Sequence, residues 1–262
     1  MRKLRFTYKM ILKLGEDIIN HSFSLRCIPK SDSYQKVYSL KCSVSPYESL
    51  NKTTDGFGNI VYVGHCNAPH NTFQYETTGI VWVDRNSIVK EELNPIYKYP
   101  SKYTEFKESM ADLYSKSLLF EGTDLQRAIF LMNLLYEKFT YTQGVTNINT
   151  TAGEAMKLGE GVCQDYSHIL IALCRKCKIP ARYVVGMIIG EGATHAWVEV
   201  YYDGSWYGLD PTHNKEVDDY FIKISHGRDY EDCIVDKGVF TGSTTQSQEI
   251  HVNVEEIWIT LW

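Results

Sequence analysis

Residues 195–210 read HAWVEVYYDGSWYGLD and contain the strongest turn signal in the chain. An Asp-Gly pair flanked by aromatic and β-branched residues is typical of the two-residue loop of a β-hairpin, and here that pair is Asp203-Gly204. Because side chains alternate between the two faces of a strand, this hairpin places His195 and Asp210 on one face. As diagonal neighbours their β-carbons lie about 5–8 Å apart, within reach of a hydrogen bond between carboxylate and imidazole.

A second motif, GEGVCQD at residues 159–165, places Cys163 where glycines end and a helix is predicted to begin. The first N–H groups of a helix have no intrahelical partner and the helix dipole is positive there, so both favour the thiolate form of a cysteine. A thiolate, a histidine and an orienting carboxylate are the parts of a nucleophilic triad. We therefore predict a triad of Cys163, His195 and Asp210; the alternative is that Cys163 is a small buried hydrophobic residue. Trp197 projects from the face of His195 and is a candidate wall of the substrate cleft.

Metal binding is the main chemical alternative, since His195, Asp210, His213 and a cysteine are all zinc-ligand types. In the hairpin register, however, His213 points away from His195, which disfavours a metal site. The only CxxC motif, Cys174 to Cys177, has no second cysteine pair at zinc-finger spacing, and we interpret it as core packing. We expect no metal and no cofactor.

The remaining sequence divides into a β-rich part and a mixed part. Residues 3–85 contain successive alternating segments without a helical period, which predicts an antiparallel sheet or sandwich. Between residues 123 and 177 apolar residues recur at helical spacing after two capping boxes, three strands are predicted over 182–209, and a last strand at 249–257 has no assigned sheet. We predict an α+β chain with an N-terminal β-sandwich-like domain (1–90), a catalytic α+β core with a helix packed on an antiparallel sheet (91–232) and a C-terminal segment with a closing β-strand (233–262).

Charge and composition exclude several classes of protein. The chain has 262 residues, with 27 Lys+Arg against 32 Asp+Glu and a formal net charge of −5, and no segment is strongly basic. A nucleic-acid partner is therefore not expected. Apolar stretches fall well short of the roughly 20 residues that cross a bilayer, and the N-terminus lacks the pattern of a secretory signal. With seven cysteines, an odd number that suits a reducing compartment, we expect a cytoplasmic protein without a membrane partner.

Four blocks carry a resemblance to a known family: GVCQDYSH at 161–168, IPARYVVG at 179–186, HAWVEV at 195–200 and GLDPT at 208–212. In this order they resemble the bacterial transglutaminase-like proteins, often described as cysteine proteases of the papain-like superfamily. Residues 1–85, with the turn DGFGN at 55–59, resemble the β-rich N-terminal region that accompanies this domain in bacteria. The resemblance implies a transglutaminase-like (papain-like) α+β core and a Cys-His-Asp triad, carried over onto Cys163, His195 and Asp210.

The resemblance leaves the reaction open. The family includes hydrolases of peptide, isopeptide and side-chain amide bonds, enzymes that transfer the acyl group to an amine, and members that only bind. The enzymes share acylation of the cysteine and differ in whether water or an amine resolves the thioester. Because the sequence shows neither an EF-hand-type calcium loop nor a dedicated amine site, we favour hydrolysis of an amide bond in a peptide or protein substrate. Transglutaminase-type acyl transfer and a non-catalytic binding module are the alternatives.

Overall fold

The computed structural model describes residues 1–85 and 89–258. As the alternating pattern predicts, the N-terminal part is made of strands: β1 Arg2–Leu25, β2 Gln35–Ser45, β3 Ser49–Thr54, β4 Ile60–Cys66 and β5 His70–Val83. Helices and two short strands follow: α1 Ala111–Leu118, α2 Asp124–Lys138, β6 Thr140–Tyr141, α3 Ala152–Leu158, β7 Glu160–Gly161 and α4 Cys163–Lys176. The second half returns to strands: β8 Ala181–Ile188, β9 Gly190–Gly192, β10 His195–Tyr202, β11 Ser205–Asp210, β12 Lys215–Glu216, β13 Phe221–Gly227, β14 Asp236–Thr241 and β15 Gln246–Glu256.

The long strand β1 gives the N-terminal sheet its curled shape. Its first half, as far as Leu14, lies between β5 and β15. The ladder with β5 shifts register between Lys13 and Ile18, and the second half of β1 pairs with β4 and β14 instead. The C-terminal strands therefore complete the sheet that begins at residue 2. The sequence predicted β15 without a partner and did not predict β14.

The α+β core consists of α4 packed on an antiparallel sheet with the strand order β12-β11-β10-β8-β13. Helix α4 contacts β8 and β10 of this sheet and the helices α2 and α3. Its inward residues Ile169, Leu170 and Leu173 have no exposed surface, as their helical spacing predicts. The predicted fold class, a β-rich N-terminal part followed by a helix on an antiparallel sheet, is confirmed.

The β10–β11 hairpin has the predicted register, since Tyr202 lies opposite Ser205 and the pairing continues outward from there. The φ angles of Asp203 and Gly204 are 44° and 78°. Positive φ at both central residues is what a type I′ turn requires, and this turn matches the twist of the two strands. The turn thereby fixes which side chains of β10 and β11 share a face.

Shared strands and buried polar groups join the N-terminal part to the core. Strand β9, which follows β8 of the α+β core, pairs with β15 of the N-terminal sheet. On β10, the fully buried carboxylate of Glu199 binds Arg182 at 2.7 Å and Lys223 at 3.4 Å. Lys223 also binds Asp32 of the N-terminal part at 2.8 Å. Because breaking a buried ion pair leaves an uncompensated charge, this network holds the two parts in a fixed arrangement.

All seven cysteines are free. Cys174 is fully buried and Cys177 packs against the same hydrophobic core, so the CxxC motif contributes to packing. In the described residues, no helix combines the length and the apolar character needed to cross a membrane.

Candidate active site

Cys163 is the first residue of α4, and Asp165 fixes the turn before it. The Asp165 carboxylate accepts hydrogen bonds from the N–H of Val162 at 2.8 Å and the hydroxyl of Thr146 at 2.7 Å. Burial raises the pKa of Asp165, and these two hydrogen bonds oppose that shift. A glycine is needed at position 161, since a Cβ there would lie 2.5 Å from the carboxylate. The local sequence thus holds the thiol at the positive end of the helix.

His195, the first residue of β10, connects Cys163 to Asp210. Its Nε2 lies 2.8 Å from Asp210 Oδ2. Nδ1 is left free of this contact, and the Cys163 side chain lies close enough to contribute to the raised pKa of His195. Burial by itself lowers the pKa of His195, but its hydrogen bonds with Asp210 and Cys163 and their negative charges outweigh burial and raise the pKa to about 9. A pKa of about 9 favours the protonated imidazole at neutral pH.

Asp210 is both a turn residue and the acceptor for two imidazoles. Its carboxylate is fully buried at the end of β11. Oδ1 accepts the backbone N–H of Thr212 at 3.0 Å, an Asx turn across Pro211. Oδ2 accepts hydrogen bonds from ring nitrogens of His195 at 2.8 Å and of His213 at 2.7 Å. Burial alone raises the pKa of Asp210, but the hydrogen bonds from His195 and His213 lower it overall, so the group is a carboxylate.

The position of His213 corrects an expectation from the sequence. Strand parity predicts that its side chain points away from His195, yet the two ring centroids are only 5.2 Å apart. The reason is that β11 ends at Asp210 and a turn follows, in which Asn214 has a φ of 50°. Potential ligand atoms of His195, Asp210 and His213 lie within 4.8 Å of one another. Both rings direct a nitrogen at hydrogen-bonding distance to the same oxygen, so in this structure the three side chains form a hydrogen-bond network.

Trp197 supports His195 from behind and does not line the cleft, although it lies on the same face. It is fully buried and packs against Phe221 and Val184, and its ring centroid lies 6.4 Å from that of His195. On the neighbouring strand β8, Gly186 lies opposite His195. A Cβ at Gly186 would lie 2.4 Å from the Trp197 ring, so a glycine at this position makes room for the indole beneath His195.

Cys163 and His195 open into a cleft of about 490 Å³, a size typical of ligand sites. The core supplies one side, and β9 and β15 supply the other. Among the described residues that line the cleft, Glu191 is the single acidic residue, and there is no Lys or Arg. The lining includes Tyr141, Gln143, Ile188, Glu191, Thr194 and Val252.

Gln143 lines the cleft beyond the residues that the sequence predicts there. In the parallel ladder of β6 and β7, Tyr141 lies opposite Gly161, and the N–H of Thr142 donates to the carbonyl of Gly161 at 2.9 Å. This register, continued by two residues, would put Gln143 opposite Cys163, and both residues line the cleft. Strands of two residues are too short to show an alternating pattern, so the sequence carries no signal for this pairing.

A thiol at the start of a buried helix, next to a histidine on an antiparallel sheet and a carboxylate behind it, is the arrangement of a transglutaminase-like core. The family model described as "Transglutaminase-like superfamily" matches residues 114–211, and the one described as "Bacterial transglutaminase-like N-terminal region" matches residues 4–82. The chain belongs to the transglutaminase-like superfamily and carries the bacterial N-terminal region, as the resemblance in the sequence predicts.

The similarity to known proteins extends over nearly the whole chain. An uncharacterized protein of Mycobacterium leprae is 24% identical, covering 88% of this chain and 91% of the relative. An uncharacterized protein of Mycobacterium tuberculosis is 26% identical, covering 91% of this chain and 88% of the relative. The crystal structure of "a Putative Cysteine Protease from Cytophaga hutchinsonii" has a TM-score of 0.83 at 21% identity, covering 100% of this chain and 92% of that chain. The fold, including its N-terminal sheet, is thus shared over the full length.

Proposed function

We propose that this protein is a thiol hydrolase that cleaves peptide, isopeptide or side-chain amide bonds through a thioester on Cys163. One observation carries the proposal: Cys163 and His195 line the same open cleft, and the ring of His195 is hydrogen-bonded to the buried carboxylate of Asp210 behind it. Membership of the transglutaminase-like superfamily supports chemistry at a thiol. The name of the Cytophaga hutchinsonii protein supports a protein substrate.

Acylation begins with attack of the Cys163 thiolate on the carbonyl carbon of the substrate amide. A C–S bond forms and the negative charge moves to the carbonyl oxygen. When this tetrahedral intermediate collapses, the C–N bond breaks and the leaving amine takes the Nδ1 proton of His195. Asp210 keeps its hydrogen bond to Nε2 throughout, so the ring keeps its orientation while its charge changes.

Deacylation uses the same groups in reverse. Neutral His195 removes a proton from a water molecule as the water oxygen attacks the thioester carbon. The C–S bond then breaks, which releases a carboxylic acid and restores the thiolate beside a protonated His195. An amine in place of water gives the transglutaminase reaction, and we favour water because the cleft opens to solvent. The ratio of hydrolysis product to amine adduct, measured with a labelled primary amine present, distinguishes the two reactions.

We propose that Gln143 and the backbone N–H of Cys163 together stabilise the oxyanion. Removing one donor from an oxyanion hole costs about 100-fold or more in kcat, so we expect that loss in Gln143→Ala with little change in KM. The kinetics of the best substrate from an amide library provide the measurement. Gln74→Ala, at an exposed position on β5, is the matched control. An unchanged kcat in Gln143→Ala would assign the second donor to another group.

Iodoacetamide labelling tests the proposal before the substrate is known. A hydrogen bond with Cys27 lowers the pKa of Cys42 to about 7, so Cys42 is an internal reference thiol in the same molecule. In His195→Ala the thiolate of Cys163 loses its cationic partner, and we expect labelling of Cys163 to slow by about tenfold or more, with the rate at Cys42 unchanged. Peptide mass spectrometry gives both rates. Equal rates at Cys163 in the two proteins would contradict an ion pair with His195.

A further inference from the structure

Strand β9 presents a free edge directly beside the catalytic residues. It pairs with β15 on one side, and within residues 1–85 and 89–258 no strand pairs with its other side. Its three residues are exposed and line the cleft that contains Cys163 and His195. The free edge of a strand offers unpaired N–H and C=O groups to which an extended chain can add.

The pairing pattern shows how β9 can bind a second chain. In an antiparallel ladder, every other residue directs both its N–H and its C=O away from the partner strand. Residues 190–192 pair one by one with β15, so either Glu191 or both glycines present such a pair of groups on the free side. Packing does not require the glycine at 192, because a Cβ there would meet nothing within 4 Å and its φ is not in the left-handed region. The space at Gly192 is open to another backbone.

Glu191 gives this edge a charge preference. It is the sole carboxylate among the described residues that line the cleft. The positive charge of His195 is paired with the buried carboxylate of Asp210. A cationic side chain that runs along β9 therefore meets a net negative potential, whereas an anionic one is repelled.

We propose that the substrate is an extended polypeptide whose backbone adds to the free edge of β9, and that Glu191 selects a lysine or arginine side chain near the reacting residue. The choice of bond to be cleaved rests on the proposed hydrolase function, whereas the binding itself does not. Glu191 precedes His195 by four positions, and an extended chain spans at most about 3.6 Å per residue. The selected basic residue therefore lies within about four positions of the residue that is acylated.

Peptide binding to the Cys163→Ala variant tests this proposal without turnover. The probes are acetylated and amidated alanine nonapeptides with a central glutamine, in which Lys, Leu or Glu occupies in turn each of the other positions. We expect Lys at one or two positions to lower the Kd about fivefold relative to Leu, and Glu to raise it. Adding Glu191→Gln should remove this difference, and Glu191→Lys should reverse it.

The backbone contact is tested separately from the charge. N-methylation of the peptide at successive residues should weaken binding at alternating positions, because every other N–H faces β9. Gly192→Val fills the open space and should raise the Kd about tenfold or more. Gly56→Val, at a turn glycine that also has nothing within 4 Å of a Cβ, is the matched control.

Two sets of outcomes separate this inference from the proposed function. Binding that is insensitive to Glu191, Gly192 and N-methylation overturns the edge-strand inference, even where the wild type cleaves the peptides. Peptides that bind with the expected dependence but are neither hydrolysed nor captured as an acyl-enzyme by the wild type overturn the hydrolase proposal and leave the inference standing.

Discussion

The Cys163→Ala variant is expected to lose amide hydrolysis almost completely, with a fall of about 10⁴-fold or more in kcat/KM. The reason is that the thioester cannot form without the sulfur, so only the oxyanion donors and substrate binding remain to assist a direct attack by water. The side chain is partly exposed and small, so its loss creates little cavity and the fold should persist. Kinetics with the best substrate from an amide library measure the loss, and thermal unfolding checks the fold.

A matched cysteine separates chemistry from packing. Cys177 is also partly exposed and lies 3.3 Å from the hydroxyl of Ser117, but it is at the opposite end of α4. Cys177→Ala should therefore keep full activity. Wild-type rates in Cys163→Ala would contradict a thioester on Cys163, and an activity that falls equally with both substitutions would indicate a folding effect.

The parts of the site that the sequence predicts are those that depend on local signals. The Asp203-Gly204 turn sets the register of one hairpin, and strand parity then places His195 and Asp210 as neighbours; their side chains are 2.8 Å apart in the structure. The start of α4 at Cys163 follows from the end of the stretch that contains Gly159 and Gly161. Each of these inferences spans fewer than about 20 residues, a distance over which turn type and periodicity determine the geometry.

Features that depend on a turn of irregular shape or on very short strands could not be predicted. His213 lies three residues beyond Asp210, after the ladder has ended, so alternation no longer applies there. Gln143 is brought to Cys163 by a ladder of two residues per strand, which leaves no periodic pattern in the sequence. Both residues therefore emerge only when the chain is seen in three dimensions.

Pairings between distant segments were equally inaccessible to the sequence analysis. β15 pairs with β1 from Leu4 to Leu14, across most of the chain length, and the alternation of its residues identifies a strand without identifying the neighbour. The pairing of β9 with β15 likewise joins segments that are far apart in the sequence. It brings a wall to the cleft from the N-terminal sheet, and this explains why the sequence predicted the reacting groups but not the shape of the site around them.

The Asp210→Asn variant is expected to lose activity by about 10³-fold near pH 8, with a change in the pH profile as its signature. In the wild type, His195 has a pKa of about 9 because its hydrogen bonds and charge interactions with Asp210 and Cys163 outweigh burial. An amide supplies no negative charge, so burial dominates and the pKa of His195 falls. Protonated His195, which the ion pair requires, then persists up to about pH 9 in the wild type and only to a lower pH in the variant.

The pH dependence distinguishes this effect from simple loss of structure. A misfolded variant loses activity equally at every pH, whereas loss of the carboxylate moves the alkaline limit of kcat/KM downward and spares relatively more activity at low pH. The contribution of His195 to the stability of the wild-type fold is also lost at alkaline pH. Because its pKa is raised in the fold, this contribution is fully present below about pH 6.5. It disappears as the pH rises through about 9. His213→Gln keeps the carboxylate and its contact with His195, so its alkaline limit should stay close to that of the wild type. An alkaline limit that is identical in Asp210→Asn and the wild type would mean that a group other than His195 governs it, and Asp210 would then keep only its place in the turn after β11.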